Sequence, residues 1–282
     1  MDLELFRFHL LAKSCSPHSV RQYLRTVAAF ARWAEETNGT FDLSAITSLD
    51  IADYRRHLLD HKKKPATINN ALDILRAYFG WTVQEGVAQR NPVAGVKRVA
   101  EQKRAPRWLT RREMSVLVGA VQKYGSKRDQ ALIVLLLHTG LRVAEACSLT
   151  LDDVLIRERS GMVHVREGKG GKYREIPLNV TVRKVLAEYL AGLTGEWLFP
   201  GRKGRMTTRT AERIVGKYAR LAGIEATPHQ LRHVFCKRLL DQGVSLDQVA
   251  VLAGHSNLNT TAKYVRPSVQ DLEKAVDRLS WE

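Results

Sequence analysis

The sequence is poor in cysteine and has no long hydrophobic run. Its three cysteines among 282 residues, Cys15, Cys147 and Cys236, are odd in number and far apart, which argues against a disulfide-stabilised secreted fold. The longest apolar run, residues 131–137, is too short to span a bilayer. The acidic start at residues 1–4 does not resemble a signal peptide. These absences predict a cytoplasmic protein without a membrane partner.

The signatures of nucleotide and zinc chemistry are also missing. Residues 168–172 are rich in glycine and lysine, but a Walker loop needs Gly-x-x-x-x-Gly-Lys-Ser/Thr at the start of a helix. His229 and His233 have the i, i+4 spacing of zinc proteases, but Gln230 stands where that motif needs glutamate. No nucleotide, metal or other cofactor is therefore expected. Zinc binding and a purely structural role stay open as alternatives for this histidine pair.

Acidic residues are scarce relative to basic ones. The chain has 45 lysines and arginines against 29 aspartates and glutamates, which gives a formal net charge of +16. Clustered cations favour a nucleic-acid partner, because binding releases the counterions condensed on it. Many soluble proteins are basic for other reasons, so charge alone leaves both explanations open.

Residues 1–97 have the apolar spacing of a helical bundle. Ser16-Pro17 is a helix start and Asn38-Gly39 a helix end, while Thr67 is predicted to cap a later helix. The aromatic residues at this spacing are predicted to be core rather than base-stacking platforms. The apolar series begins with Leu5, Phe8 and Leu11.

Basic residues of this unit are candidates for contacts to phosphate, although a solvated face explains any one of them equally well. Residues 98–107 are strongly basic and lack apolar periodicity, which predicts a linker. A flexible basic linker would let two domains close around a polyanion. The candidates in the first unit are Arg21, Arg25, Arg55, Arg56, Arg76 and residues 62–64.

The region after the linker begins with Thr110, a predicted helix cap. Asp129 is predicted to begin a helix that ends at Gly140, and a short helix with Arg142 follows. Taken alone, Arg142 would be interpreted as a surface residue in a salt bridge. Residues 162–166 and 173–178 resemble strands, so they predict a β-hairpin with Lys169 at its tip.

Two helix starts near the C-terminus bring polar residues together. Thr227, Pro228 and Gln230 give a hydroxyl cap, a proline at the first helical position and a capping-box partner. His229 and Arg232 then share one face of the first turn, where polar donors can bind an anion.

The next helix is predicted to start at Ser245, with Gln248 as its capping-box partner, and to end at Gly254. It should bury Leu246, Val249 and Ala250. His255 then lies on the turn after that helix, and Tyr264 follows. Two histidines, an arginine and a tyrosine are therefore predicted to converge on an anion.

Together, these motifs resemble the tyrosine recombinase (phage integrase) family, in a compact Xer-like form. The resemblance implies a mainly α fold with a small β-sheet, and two domains. Residues 1–97 would be a helical, SAM-like core-binding domain and 98–107 a basic linker. Residues 108–282 would be an α+β catalytic domain with a C-terminal subunit-exchange helix. The motifs are Thr139-Gly140-Leu141-Arg142-x-x-Glu145, Gly168-Lys169-Gly170, His229-x-Leu231-Arg232-His233, Gly254-His255-Ser256 and Tyr264.

The resemblance implies an enzyme that cleaves and rejoins DNA through a 3′-phosphotyrosine and a Holliday junction. Two arginines suit this chemistry, because their planar forks match phosphate and stay charged. A tyrosine oxygen can form the covalent intermediate if a base takes its proton. The implied catalytic residues are Arg142 and Arg232 on the phosphate, Lys169 as acid, His229 as candidate base, His255 as hydrogen-bond donor and Tyr264 as nucleophile.

The implied partner is double-stranded DNA with a specific core site, bound by a homotetramer on two DNA sites in the nucleoid. The C-terminal apolar pattern from Val269 to Leu279 would dock on a neighbouring subunit, or else on its own domain. Chromosome dimer resolution and mobile-element integration or resolution both fit. A non-catalytic DNA-binding regulator or architectural protein on the same fold is the alternative.

Overall fold

The structure is a computed structural model that describes residues 3–101, 108–166, 173–255, 261 and 276–277. The chain divides into two compact units, Met1–Ala105 and Pro106–Glu282. The expected fold class, mainly helical with a small sheet, is confirmed. Within the described part of the chain, no helix has both the length and the apolar character needed to cross a membrane.

The first unit contains four described helices whose ends follow local cap chemistry. The Ser16 hydroxyl accepts a hydrogen bond from the Ser19 N–H, and Gly39 ends the same helix in the left-handed conformation. The predicted cap at Thr67 is wrong, because the fixed φ of Pro65 suits the first helical position. The helices are α1 (Leu3–Ala12), α2 (Pro17–Asn38), α3 (Ser48–Asp60) and α4 (Pro65–Gln84).

Helix α1 buries a face other than the one its apolar spacing suggested. Phe6 is 1% exposed, whereas Phe8 is 62% exposed, so the prediction that Phe8 belongs to the core is wrong. Apolar residues surround most of this helix, and packing decides between two possible faces. The Phe6 ring lies 5.0 Å from the Tyr78 ring and 5.1 Å from the Trp81 ring, measured between centroids.

The segment after α4 is held on the first unit by a buried amide. The Asn69 Nδ2 donates to the Val99 carbonyl at 2.9 Å, and its Oδ1 accepts from the Val99 N–H at 2.8 Å. The same Nδ2 is 2.6 Å from Glu101 Oε1. Residues 98–101, the first part of the predicted linker, therefore lie against the first unit. Residues 102–107 lie outside the described part.

Two of the basic candidates for phosphate contacts are half-buried and bind backbone instead. Arg55 Nη1 donates to the Lys97 carbonyl at 2.8 Å. Arg76 Nη2 donates to the Val93 carbonyl at 3.4 Å, and its Nη1 pairs with an aspartate of the same helix. The prediction that both are exposed is wrong, because the segment after α4 covers them.

The second unit packs helices around one three-stranded antiparallel sheet. The sheet order is β1–β2–β3, with Val165 opposite Arg174 at the end of the hairpin. The predicted hairpin strands are confirmed, β1 was not predicted, and the tip with Lys169 lies outside the described residues. The strands are β1 (Val154–Ile156), β2 (Gly161–Val165) and β3 (Arg174–Pro177), with a short pair β4 (Pro200–Gly201) and β5 (Gly204–Arg205).

The helices of this unit enclose α6, which carries the longest apolar run of the sequence. Residues 131–137 are all buried, so this run forms the centre of the core. The helices are α5 (Arg111–Tyr124), α6 (Lys127–Thr139), α7 (Val143–Ser148), α8 (Val180–Leu190), α9 (Thr208–Leu221), α10 (Pro228–Asp241) and α11 (Leu246–Ala253).

Helix starts in this unit were predicted with mixed success. The capping boxes at Thr110 and Thr227 form as expected. Helix α6 begins two residues before Asp129, because the Ser126 hydroxyl accepts from the Asp129 N–H and takes the cap position. Asp129 is instead buried and accepts a hydrogen bond from a tyrosine hydroxyl.

The predicted capping box at Ser245 is wrong, since its side chain makes no cap hydrogen bond to the helix backbone. Val249 and Ala250 are buried as predicted, whereas Leu246 is only half-buried.

Candidate active site

The end of α6 brings the chain close to α10. Gly140 adopts a φ of 61°, the left-handed region that favours glycine. A Cβ at this position would lie 2.2 Å from Cδ1 of Phe235. Only glycine therefore allows this approach, which places the next turn, with Arg142, beside α10.

Arg232 is buried where the ends of two helices meet. Its side chain on α10 is 3% exposed. Nη1 donates to the Gly140 carbonyl at 2.6 Å, and Nη2 donates to the Ala253 carbonyl at 2.5 Å. The guanidinium thus joins the end of α6 to the end of α11.

Arg142 is not the surface residue that its position alone suggested. Its side chain is 29% exposed, and Nη1 donates to Oε1 of Glu145 at 2.7 Å. Nη2 donates to the Gly254 carbonyl at 2.7 Å. The Arg142 backbone N–H also donates to the Glu145 carboxylate at 2.7 Å, which fixes the start of α7.

Sequence reasoning missed a third arginine in this cluster. Arg174 is buried, and its Nη2 and Nη1 donate to Oε2 and Oε1 of Glu145 at 2.7 Å and 3.1 Å. Its Nε donates to the Leu252 carbonyl at 3.1 Å. The alternation of β3 carries a signal for it, because Arg174 shares the inward face with buried Ile176.

The carboxylate at the centre of the cluster is held in its charged form. Burial alone would raise the pKa of Glu145, but hydrogen bonds and charge from Arg174, and then from Arg142, hold it below its ordinary value. Burial and the charge of Arg142 lower the pKa of Arg232. Among the described residues, Arg142 and Arg174 pair with this carboxylate and Arg232 feels its charge, so three guanidinium groups face one carboxylate, an excess of two positive charges.

The two predicted histidines are neutral at pH 7. Burial, followed by the charges of Arg232, Arg142 and Arg174, lowers the pKa of His255 to about 4. Burial and the first two of these arginines also lower the pKa of His229.

The surroundings of these rings add two contacts. Nδ1 of His255 lies 2.8 Å from the Thr261 hydroxyl. The ring centroids of His229 and His233 lie 4.0 Å apart. Within the described ranges, no group of three or more His, Cys, Asp or Glu residues could hold a metal ion.

The structure therefore brings together four of the six predicted site residues. Arg142, Arg232 and His255 meet through the turn at the end of α11, and the first two act electrostatically on His229. Lys169 and Tyr264 lie outside the described residues.

Comparison with known proteins finds family matches in both units. Residues 107–271 match the model of the phage integrase family, and residues 3–86 match that of its N-terminal SAM-like domain. The tyrosine recombinase XerA of Thermococcus kodakarensis is 32% identical over 282 residues, which cover 98% of this chain and 94% of the relative.

Two solved structures share the fold. One is XerH bound to its palindromic difH substrate after cleavage, with a TM-score of 0.78 and 21% identity over 94% of this chain and 81% of the other. The second is a lambda integrase dimer bound to a core site, with a TM-score of 0.77 and 21% identity over 94% and 96% of the chains.

The non-catalytic alternative has no support in these comparisons. The family match spans both units, and the XerA relative is aligned along almost its whole length. On this combined evidence, the chain belongs to the phage integrase family and is a tyrosine recombinase.

Proposed function

We propose that the arginine cluster binds the scissile phosphate of double-stranded DNA and that Tyr264 attacks it to form a 3′-phosphotyrosine. The observation that carries the proposal is the excess of positive charge around Glu145. A phosphodiester resists nucleophiles because it is already an anion, so its non-bridging oxygens must first be neutralised. Contacts to described residues use two of the five N–H donors of Arg142 and of Arg232. The other donors are proposed to hold the phosphate.

The neutral histidines support separate proton roles. A neutral His229 can accept the proton of the Tyr264 hydroxyl as that oxygen attacks phosphorus. A neutral His255 whose Nδ1 accepts from the Thr261 hydroxyl presents Nε2–H as a donor to the phosphate. Lys169 gives a proton to the departing 5′ oxygen as the P–O5′ bond breaks.

Rejoining is the same reaction in reverse. The 5′ hydroxyl of a strand from the second duplex attacks the phosphotyrosine and gives its proton to Lys169. The P–O bond to Tyr264 breaks, and His229 returns the proton to the tyrosine oxygen. Because the phosphotyrosine conserves the bond energy, the exchange needs no nucleotide. Exchange of one pair of strands yields the Holliday junction, and exchange of the second pair resolves it.

The proposal includes a division of labour along the chain. Residues 1–97 would bind the core site with 98–107 as linker, and 108–282 would carry the chemistry and a C-terminal exchange helix. The XerH and lambda integrase structures are complexes with DNA sites, which supports DNA as the partner. A homotetramer on two core sites in the nucleoid would complete the reaction, for chromosome dimer resolution or for a mobile element.

Covalent trapping tests this proposal directly. The protein is incubated in chelator with a library of nicked duplexes, denatured in detergent, and the attached DNA is sequenced. The expected result is an adduct through Tyr264 at a defined core site. Tyr264→Phe should give no adduct, whereas Tyr124→Phe, which changes an exposed tyrosine at the end of α5, should keep it.

An adduct that survives in Tyr264→Phe would refute the assignment of the nucleophile. Tight sequence-specific binding by the wild type without any adduct would favour the non-catalytic DNA-binding protein instead.

A further inference from the structure

We infer that Arg174 is a positioning residue for strand cleavage, because its guanidinium joins Glu145 of α7 to the backbone turn that carries His255. The inference rests on the proposed function and gives Arg174 no contact with DNA. It adds to the site a residue that holds the phosphate-binding arginines in place.

The contacts of Arg174 use all three nitrogen atoms of its side chain. Nη1 and Nη2 meet the two carboxylate oxygens of Glu145 at 3.1 Å and 2.7 Å, and Nε meets the Leu252 carbonyl at 3.1 Å. A lysine could keep the positive charge but could not make this fork and the third bond together. The geometry therefore requires arginine.

Both anchors of Arg142 depend on these contacts. The first is Glu145, whose carboxylate accepts from Arg142 Nη1 while Arg174 grips both of its oxygens. The second is the carbonyl of Gly254, on a turn that rests on Arg174. A Cβ at Gly254 would lie 2.8 Å from Nη1 of Arg174. Loss of the Arg174 guanidinium would release both anchors at once.

Arg174 also ties the β2–β3 hairpin to the cluster. It is the first residue of β3 and lies opposite Val165, at the end of the ladder nearest the hairpin tip. The proposed acid, Lys169, belongs to that tip. One side chain thus connects the strand that follows the acid to the residues that hold the phosphate.

Removal of Arg174 should make cleavage depend on pH through Glu145. Arg142 before α7, Arg174 on β3 and Arg232 on α10 lie near this carboxyl. The pocket beside it is also lined by Asp152, Glu196 and Arg205. Across the neighbouring pocket lies Asp153, which is paired with Arg166. With Arg174 present, the pKa of Glu145 is below its ordinary value. Without it, only the contacts of Arg142 oppose the effect of burial, so that pKa should rise and the carboxyl should take up a proton more readily as pH falls.

The test compares single-turnover cleavage and DNA affinity, with the duplex recovered by trapping as the probe. Arg174→Gln should cleave about 100-fold more slowly at pH 7 and bind DNA within about threefold of the wild type. Its rate should fall further towards pH 6 and recover towards pH 8, an added acid limb that the wild type, with His229 as its only titrating base, should lack. Arg174→Lys keeps the positive charge and so protects folding. Its cleavage rate should be about tenfold below that of the wild type.

Two further variants separate positioning from general damage. Arg183→Gln is the matched control, because Arg183 also donates to a backbone carbonyl of this unit, that of Leu178, but away from the cluster. It should cleave within about threefold of the wild type. The double variant Arg174→Gln/Glu145→Gln should lose the acid limb and cleave no more slowly than Glu145→Gln alone.

The outcomes separate the two proposals. A wild type that forms no adduct overturns the proposed function, and the role of Arg174 falls with it. A wild type that cleaves, beside Arg174 variants whose rate and affinity fall together with an unchanged pH profile, overturns only the positioning role. The positioning role would also be overturned if the losses of cleavage rate caused by Arg174→Gln and Glu145→Gln were additive in the double variant.

Discussion

The two units of this recombinase differ in the polar side chains that they bury. Among the described residues of the first unit, the buried polar side chains are those of Asn69 and Thr82, both uncharged. The second unit buries charges as well as hydroxyls. The charged ones are Asp129, Glu145, Asp153, Arg174 and Arg232.

The second unit therefore buries charged side chains at a cost in desolvation free energy that the first unit avoids. Taking an ion out of water costs several kcal/mol unless other groups replace its hydration. Asp129 accepts a hydrogen bond from Tyr218, and Asp153 pairs with Arg166, so these two carboxylates are each matched locally. The other three charges belong to the site, where arginines outnumber the carboxylate. The imbalance is what a site for an anion requires.

Removal of the Glu145 carboxylate should have the largest effect on both stability and cleavage. In Glu145→Ala, two arginines lose their anion, and the free energy of unfolding of the second unit should fall by about 3–5 kcal/mol. Cleavage should fall by at least about 100-fold. Asn69→Ala in the first unit should cost about 1–3 kcal/mol and leave the trapped-adduct rate within about threefold. Urea unfolding followed by circular dichroism, together with trapping, measures both. Equal loss of cleavage in the two variants would contradict this account.

Within the first unit, two neighbouring phenylalanines sharpen the contrast between core and surface. Phe6→Ala removes a ring that packs on Tyr78 and Trp81, and should lower the free energy of unfolding by about 3–5 kcal/mol. Phe8→Ala should change it by less than about 0.5 kcal/mol, because that side chain is 62% exposed. Thermal melting measures the stability of both variants. Similar losses of stability would show that Phe8 also packs in the core.

Two helix-ending glycines offer a matched pair across the units. Gly39 and Gly254 have φ angles of 78° and 65°, but only Gly254 is crowded, by Arg174. Gly39→Ala should lower the free energy of unfolding by about 1–2 kcal/mol, because alanine is strained in the left-handed conformation, and should leave cleavage unchanged. Alanine at Gly254 must also displace Arg174, so cleavage should fall by about tenfold or more. The rate of adduct formation is measured for both variants. Equal rates would show that the crowding of Gly254 by Arg174 does not matter for cleavage.

The smallest effect concerns pH and belongs to the second unit. The pKa of His255 is about 4 in the folded protein against an ordinary value of 6.5. As pH falls through this window, the unfolded chain binds a proton before the folded chain does, so stability decreases. The melting temperature of the DNA-free wild type should therefore drop between pH 6.5 and 4.5 by a few degrees more than that of His255→Asn. An equal drop would mean that His255 titrates normally.

Local chemistry allowed several elements to be predicted from sequence. The ends of α2 followed from Ser16-Pro17 and Asn38-Gly39, because a hydroxyl cap and a left-handed glycine act within a few residues. The start of α10 followed in the same way from Thr227. The motifs also indicated the fold class and the family.

Features that depend on tertiary packing were missed or wrong. Phe8 was assigned to the core because α1 is apolar on more than one side, and the rings of α2 and α4 that pack on Phe6 select the other face. Arg55 was predicted to be exposed because the segment that covers it lies 42 residues further along the chain. Arg174 was missed for the same reason, since its partner Glu145 is 29 residues away in sequence.

The carbonyls that hold the arginines belong to the ends of two helices. Gly140 ends α6, and residues 252–254 end α11, so the guanidinium groups meet the negative poles of two helix macrodipoles. These poles act as fixed partial anions that cannot diffuse away. They offset part of the repulsion among the clustered cations, which supports the proposal that the arginines are already arranged for a phosphate before DNA binds.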